Sequence, residues 1–396
     1  MIKTKLQRCL HDKLATGPLR GPVIALLAAA WIAGCGVGTG GTGAFGSAPV
    51  NGFGSIFVGG IEFDDTRAVV INDDGAPVAR DGNELRLGMM ADVDGTTIAA
   101  GLNGPTSTAA SVRLTRAVVG PVTATDVGRR TLSVLGQTVI VNGSTAFDAT
   151  LHGGLAALKA GDMVSVYGLA GSSGQTVATR LEPALSGDAW RLRGPVAGLD
   201  TNTKRVGIGA ALLDYSSAAN VPADLANGQW VHLTLSGTSI GGVLGVAAFS
   251  PLPTPPADAA HVVVEGLVAA PTMQGLLRIG AISIDASLAT ITPAPAALVA
   301  GAHAEVSGRL TAGVLVADKI KLLTAQEAES RSFQVIGTVG GLSATNFVVR
   351  GVAVDASAAT YVNGAATLLA NGVKVRVQGT LSADGTAVQA ARITFL

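Results

Sequence analysis

A carboxylate set two positions before a hydroxyl recurs along this 396-residue chain, as Ile284-Asp285-Ala286-Ser287 and again as Val354-Asp355-Ala356-Ser357. Such a pair suits three kinds of chemistry: activation of a nucleophile, hard oxygen ligation of a metal, or the folding of a turn. Recurrence chooses among them. The pattern of an apolar residue, Asp or Asn, any residue, then Ser or Thr also occurs as Phe63-Asp64-Asp65-Thr66, Val141-Asn142-Gly143-Ser144 and Leu213-Asp214-Tyr215-Ser216. Asn142 cannot replace an ionised catalytic carboxylate, whereas Asp and Asn can both fold a side-chain oxygen onto backbone N–H groups two residues on. The motif therefore reads as a strand-ending turn, and it marks five copies of something.

Other chemistries have thinner support. The segment Pro49 to Ala117 holds nine acidic and five basic residues, and its oxygens are the ligand type that calcium takes. Asp64, Asp65, Asp92 and Asp94 are the candidate ligand-binding residues there, with calcium, a glycan or a small molecule as candidate ligands. Yet "DVDGTT", Asp92 to Thr97, lacks the remaining spacing of a calcium loop, and "NDDG", Asn72 to Gly75, reads as a hairpin turn. His152, His232, His261 and His303 fall at unrelated places, without partners at ligand spacing, and read as scattered exposed residues. No catalytic residue, metal site or cofactor is expected. Trp230, inside an atypical third-copy strand, is the best single aromatic for a contact surface.

Elements of a repeat must position these residues. A second marker in step with the first reads "GMMADVDG" (Gly88 to Gly95), "GDMVSVYG" (Gly161 to Gly168), "GAHAEVSG" (Gly301 to Gly308) and "GVKVRVQG" (Gly372 to Gly379), with "GQWVHLTLSG" (Gly228 to Gly237) two residues longer. A third opens most copies: "VVGPV" at 118–122, "LRGPV" at 192–196, "VEGLV" at 264–268 and "VIGTV" at 335–339. Three markers in constant order, with a period of about seventy residues, establish an internal repeat. In the last copy, alternation predicts a strand at Phe333 to Val339, two short strands around Gly351, one or two helical turns in "AATLLANG", and two closing strands. That order is the one of an OB-like barrel, with an immunoglobulin-type sandwich as the competing fold.

The expected fold is all-β: a tandem array of about five small OB-like barrels. The expected boundaries are β-domains at 50–117, 118–184, 191–250, 262–323 and 333–396. A stiff Pro-rich linker (251–261) and a polar linker (324–332) separate the later copies, so the barrels are expected to form a string.

The chain opens with five basic residues before the apolar run Val23 to Ala33, too short for a stable membrane span, which predicts a secretory signal over 1–34. "IAGC", Ile32 to Cys35, resembles the bacterial lipoprotein box, which implies lipidation at Cys35. Residues 35–49, rich in glycine, are expected to form a tether. Loss of the signal leaves 22 basic against 26 acidic residues, net −4, and argues against nucleic acid as a partner. Cys9 leaves with the signal, so no disulfide and no cysteine nucleophile is expected.

"VNGFGSIFVGGIEFDDTRA", Val50 to Ala68, with the later repeats and the signal, resembles the bacterial domain of unknown function 5666. The resemblance implies a secreted or lipid-anchored β-domain array and carries over no catalytic residue. The expectation is a non-catalytic envelope protein, anchored in the outer membrane through Cys35, serving as a spacer or as a scaffold for an envelope protein partner. The alternative is an envelope ligand-binding protein with its site in the acidic first copy.

Overall fold

The computed structural model describes residues 43–79, 84–101, 104–185, 187–269, 276–293 and 298–396. The signal segment, Cys35 and residues 36–42 of the expected tether lie outside the described residues. The described chain is all-β, with two short 3-10 turns and one five-residue helix, Ala325–Glu329.

Residues 118–183 form a small five-stranded barrel. Its opening strand Val118–Asp126 pairs antiparallel with Thr131–Val134, which pairs antiparallel with Gln137–Ile140. Gln137–Ile140 runs parallel to the closing strand Gln175–Pro183, and Met163–Ala170 joins the closing strand back to the opening one. A second such barrel, 333–395, uses Phe333–Ser343, Asn346–Val349, Val352–Asp355, Lys374–Leu381 and Ala387–Phe395 in the same ring. Strand order first, second, third, fifth, fourth and back to first is OB-like, and a closed ring leaves no two facing sheets for a sandwich. Alternation puts Val335, Val377 and Ile393 inside, each fully buried. The strands of 44–114, 191–250 and 259–322 pair in the same cyclic order.

Every Asp/Asn-x-Ser/Thr motif is the turn that its composition suggests. Asp64, Asn142, Asp214, Asp285 and Asp355 each accept the backbone N–H two residues on, at 2.8–3.0 Å. The turn has a purpose in the barrel. After it the chain steps along and pairs again, in parallel, with the same closing strand, as Val69–Ile71, Ala146–Phe147, Thr290–Thr292 and Thr360–Val362 do. The predicted helical turns are 3-10 turns at Gly154–Ala157 and Ala366–Leu368. The corresponding stretches of two other strand groups differ: "ADLANG", Ala223 to Gly228, forms hydrogen-bonded turns, and "PAALVAG", 295–301, lies partly outside the described residues.

Three expectations about the connections are corrected. Residues 44–49 are no tether: they are the first half of the strand Ala44–Phe53, which pairs antiparallel with Met90–Gly95 and parallel with both Ala259–Ala269 and Phe333–Ser343. Its small residues reflect close approach, since a Cβ on Gly46 would sit 3.2 Å from the Phe63 ring. Residues 324–332 are a clamp and not a spacer. Thr324 and Glu327 form a capping box, Glu329 accepts from Arg130 at 3.0–3.2 Å and from the Gly143 N–H at 2.7 Å, and the Arg331 N–H donates to Ser144. In 251–261, Ala259 onward is already strand, and Asp258 accepts the Ala312 N–H.

The described residues from 43 onward consequently form one compact body and not a string. Apolar cores are shared across them: one joins 118–183 to 191–250, another joins 44–114 to 333–395. The physical reason lies in the second face of each strand. Residues that point away from their own barrel, such as Val263 and Leu267, pack into the core of a neighbour.

Candidate functional site

Where 44–114, 118–183, 191–250 and 259–322 meet lies a partly open cavity of about 160 Å³, lined on one side by residues 252–255. Its apolar wall includes Phe45, Met90, Trp230, Leu252, Leu267 and Ile282. Its charged residues are Asp92, Asp94, Arg113, Arg116, Arg193 and Glu265. Strand alternation places them. Ala91 and Val93 are buried inside their own group, so Asp92 and Asp94 point outward; Leu192 and Val196 likewise turn Arg193 outward, and Val264 turns Glu265 outward. Outward here means into the junction between units.

Most of these charges are already engaged. Asp92 accepts from the Ser47 hydroxyl at 2.6 Å, and Asp94 accepts from Ser111 at 3.0 Å. Burial pushes the Asp92 carboxyl up, and this outweighs the Ser47 hydrogen bond and the attraction of Arg193 and Arg113. Arg116 donates to the buried Asp73 at 3.0 Å through Nε, and to Asp188 at 3.3 Å through Nη1. Burial works against the Arg116 cation, yet Asp73 and its other neighbours raise its pKa overall. Glu265, 3 % exposed, accepts from both arms of Arg331 and bonds His303 Nε2 at 2.8 Å. Burial alone would raise it; the Arg331 charge and these hydrogen bonds bring it down to about 2.

Arg193 contrasts with these four. Its Nε and Nη2 are buried and have no hydrogen-bond partner, although Asp92 and Asp73 attract it. Burial lowers its pKa. Directly across the strand pair stands His232, 1 % exposed, with neither ring nitrogen partnered. Burial, and then the Arg193 charge, lowers His232 to about 4.

Of the residues singled out from sequence, the cavity brings together Asp92, Asp94 and Trp230. Trp230 is 6 % exposed, so it is a buried wall and not a surface aromatic, because the 251–261 segment folds over it. Asp64 and Asp65 are not in the cavity wall; Asp64 is occupied by the Thr66 N–H and hydroxyl, whose hydrogen bonds lower its pKa. Among the described residues no three His, Cys, Asp or Glu side chains are grouped to hold a metal ion. "NDDG" is the turn expected, with Asn72 accepting from Asp74 and Ala76, but Asp73 is turned inward to Arg116. His232 and His303 are buried or nearly so, against the expectation of exposed histidines. Arg193, Arg116, Glu265 and Ser47 were missed. A signal for two of them existed in the opening marker, whose residue before glycine is Val119, Arg193, Glu265 and Ile336 in turn.

The architecture defines an all-β protein with OB-like barrels. The chain carries domains of the family described as Domain of unknown function (DUF5666) at two positions, 119–182 and 336–394, which are the two five-stranded barrels. No curated protein matches the chain. A solved structure described as drosophila Unr CSD456 is similar at 13 % identity, with a TM-score of 0.15, over 53 % of this chain and 98 % of that one.

Proposed function

We propose that this chain is a non-catalytic, lipid-anchored protein of the bacterial cell envelope, held at the outer membrane through Cys35. In this reading its five strand groups are copies of one OB-like repeat, packed to enclose a binding site for a small ligand. The observation that carries the reading is the cavity at the junction of four groups, whose wall combines Phe45, Met90, Trp230 and Ile282 with Asp92, Asp94 and Arg193. The spacer reading loses its basis with the string arrangement, because a body tied together by parallel strand pairs has little reach. An envelope protein partner is the competing reading.

The test uses the full chain, extracted from membranes in detergent. A panel of glycans, small acids and their neutral analogues is screened by thermal shift, and hits are followed by calorimetry. A hit of one-to-one stoichiometry supports the reading; no hit, together with a stoichiometric protein in cross-linked envelope extracts, overturns it. Membrane anchoring is tested separately, by loss of the protein from the membrane fraction on Cys35→Ala.

A further inference from the structure

We infer that the cavity receives a small uncharged amphiphile, an alcohol whose apolar body enters first and whose hydroxyl stays at the Asp94–Ser111 pair on the open side. This rests on the ligand-binding reading above and names the chemistry of its ligand.

The wall runs from an open side to a closed one. Among its residues Asp94, Thr254 and Ala281 are exposed, whereas Phe45, Met90 and Trp230 are buried. Strand register sets the polar part of the open side beside the apolar part of the closed one. Phe45, Asp94 and Ser111 stand abreast on the paired strands Ala44–Phe53, Met90–Gly95 and Gly104–Leu114. Neighbours placed so have Cβ atoms about 4.5–5.5 Å apart. Asp94 accepts from Ser111 through Oδ2 at 3.0 Å, and its exposed carboxylate keeps lone pairs for a further donor. A ligand hydroxyl donates to that carboxylate, while the body it carries lies along Phe45 and reaches inward to Met90 and Trp230.

Charge argues against an ionic ligand. The wall sets Asp92, Asp94 and Glu265 against Arg113, Arg116 and Arg193, three of each sign. Glu265 is ion-paired with Arg331, and Arg116 with Asp73 and Asp188; Asp188 leaves one acid in excess among these partners, but it lies outside the wall. The other four balance as well. Asp92 stands directly across from Arg113 in the strand register, and Arg193 and Arg113 both attract it. The Nε and Nη2 atoms of Arg193 are buried, so they offer no grip to an anion. A ligand ion would therefore lose its hydration without meeting an uncommitted counter-charge, a cost that an alcohol does not carry. At about 160 Å³ the space compares with cavities known to take one benzene ring, which sets the size of the body.

The test is calorimetric titration of the full chain with benzyl alcohol, benzoate, benzylamine and toluene, in lipid nanodiscs so that no detergent competes, with protein-free nanodiscs as the blank. Benzyl alcohol is expected to bind one-to-one, at least about tenfold tighter than benzoate or benzylamine. Asp94→Ala is expected to weaken the alcohol about tenfold and to leave toluene unchanged, because only the alcohol donates to that carboxylate. Leu252→Trp, at a half-buried position of the wall, narrows the cavity and is expected to weaken alcohol and toluene alike. With ¹³C-methyl methionine labelling, the Met90 resonance should shift when the alcohol binds. Binding of either ion as tight as the alcohol overturns the uncharged assignment while leaving a ligand site. An Asp94→Ala variant that loses alcohol and toluene equally, or neither, overturns the placement of the hydroxyl, and a Met90 resonance unmoved by bound alcohol overturns the placement of the body. Absence of binding by every probe overturns this inference, and only if the whole panel above also fails does the broader reading fall with it.

Discussion

The two barrels at 118–183 and 333–395 and the groups at 191–250 and 259–322 share one strand order but differ at one register position. Before the glycine of the opening marker, the barrels carry Val119 and Ile336, whereas the other two groups carry Arg193 and Glu265. All four side chains point away from their own barrel interior. In the two barrels that face contributes apolar packing; in the other groups it contributes opposite charges to the wall of one cavity. The inward positions keep the ring of strands closed, so they are constrained alike in each strand group. The outward positions are free to differ, and packing of the units turns them into buried positions with chemistry of their own.

The largest expected way to break the comparison is Glu265→Ala. It strands Arg331 and His303 without their shared carboxylate, and breaking a buried ion pair on one side costs about 3–5 kcal/mol. At the equivalent position of the 333–395 barrel, Ile336→Ala removes a half-buried apolar group and should cost about 1–2 kcal/mol. Urea denaturation of the two variants beside the parent measures both. Equal losses would mean that the charged position is no more committed than the apolar one.

Acid should expose the same asymmetry. His232 has an ordinary value of 6.5 that falls to about 4 in the fold, so below pH 6.5 the unfolded chain binds the proton first and stability drops. The loss runs from about pH 6.5 down to 4 and amounts to roughly 3 kcal/mol. The groups acting on His232 are Arg193, Asp73, Arg191 and Asp74. Glu265, held at about 2 against 4.5, adds its own loss only below pH 4.5. His232→Phe is therefore expected to flatten the stability profile between pH 6.5 and 4.5 and to leave the steeper fall below it. A profile unchanged by that substitution would remove His232 from the account.

The clamp at 324–332 gives a smaller effect. Glu329→Ala frees Arg130 and the Gly143 N–H, but both charged side chains are well exposed, so about 1 kcal/mol is expected in thermal or urea denaturation. A loss near zero would mean that the capping box and Arg331 alone fix the connector.

What could be read in the sequence follows the same division. Period-two alternation and the Asp-x-Ser turn are local, so the strands, the turns and the OB-like order of the two barrels were legible from 118–183 and 333–395. Burial of the outward face was not. Alternation says only that Asp92, Arg193 and Glu265 leave the core of their own strand group; whether water or another group meets them depends on packing between units. "GAFGSAP" was misread for a related reason. Glycine and small residues mark flexible chain where nothing is near and tight approach where a neighbour is, and only the positions of Phe63 and the strands around 44–49 separate the two. The same limit hid Asp73, whose place in "NDDG" signals a turn and says nothing about Arg116.

The smallest expected effect is also the sharpest control on the comparison. Asp285 and Asp355 make the same turn in 259–322 and in 333–395, each accepting a backbone N–H from the serine two residues on, at 3.0 and 2.9 Å. Both carboxylates are held below the usual range by hydrogen bonds from the serine, the hydroxyl contributing most at Asp285 and the backbone N–H most at Asp355. Because the turn serves barrel closure and not the cavity, Asp285→Ala and Asp355→Ala should lower the urea midpoint by the same small amount. Asn at either position should recover most of it, as Asn142 already makes the turn in 118–183. Neither substitution should alter ligand binding. If Asp285→Ala disturbed binding while Asp355→Ala did not, the motif would belong to the site after all, and the division between shared inward framework and divergent outward chemistry would have to be redrawn.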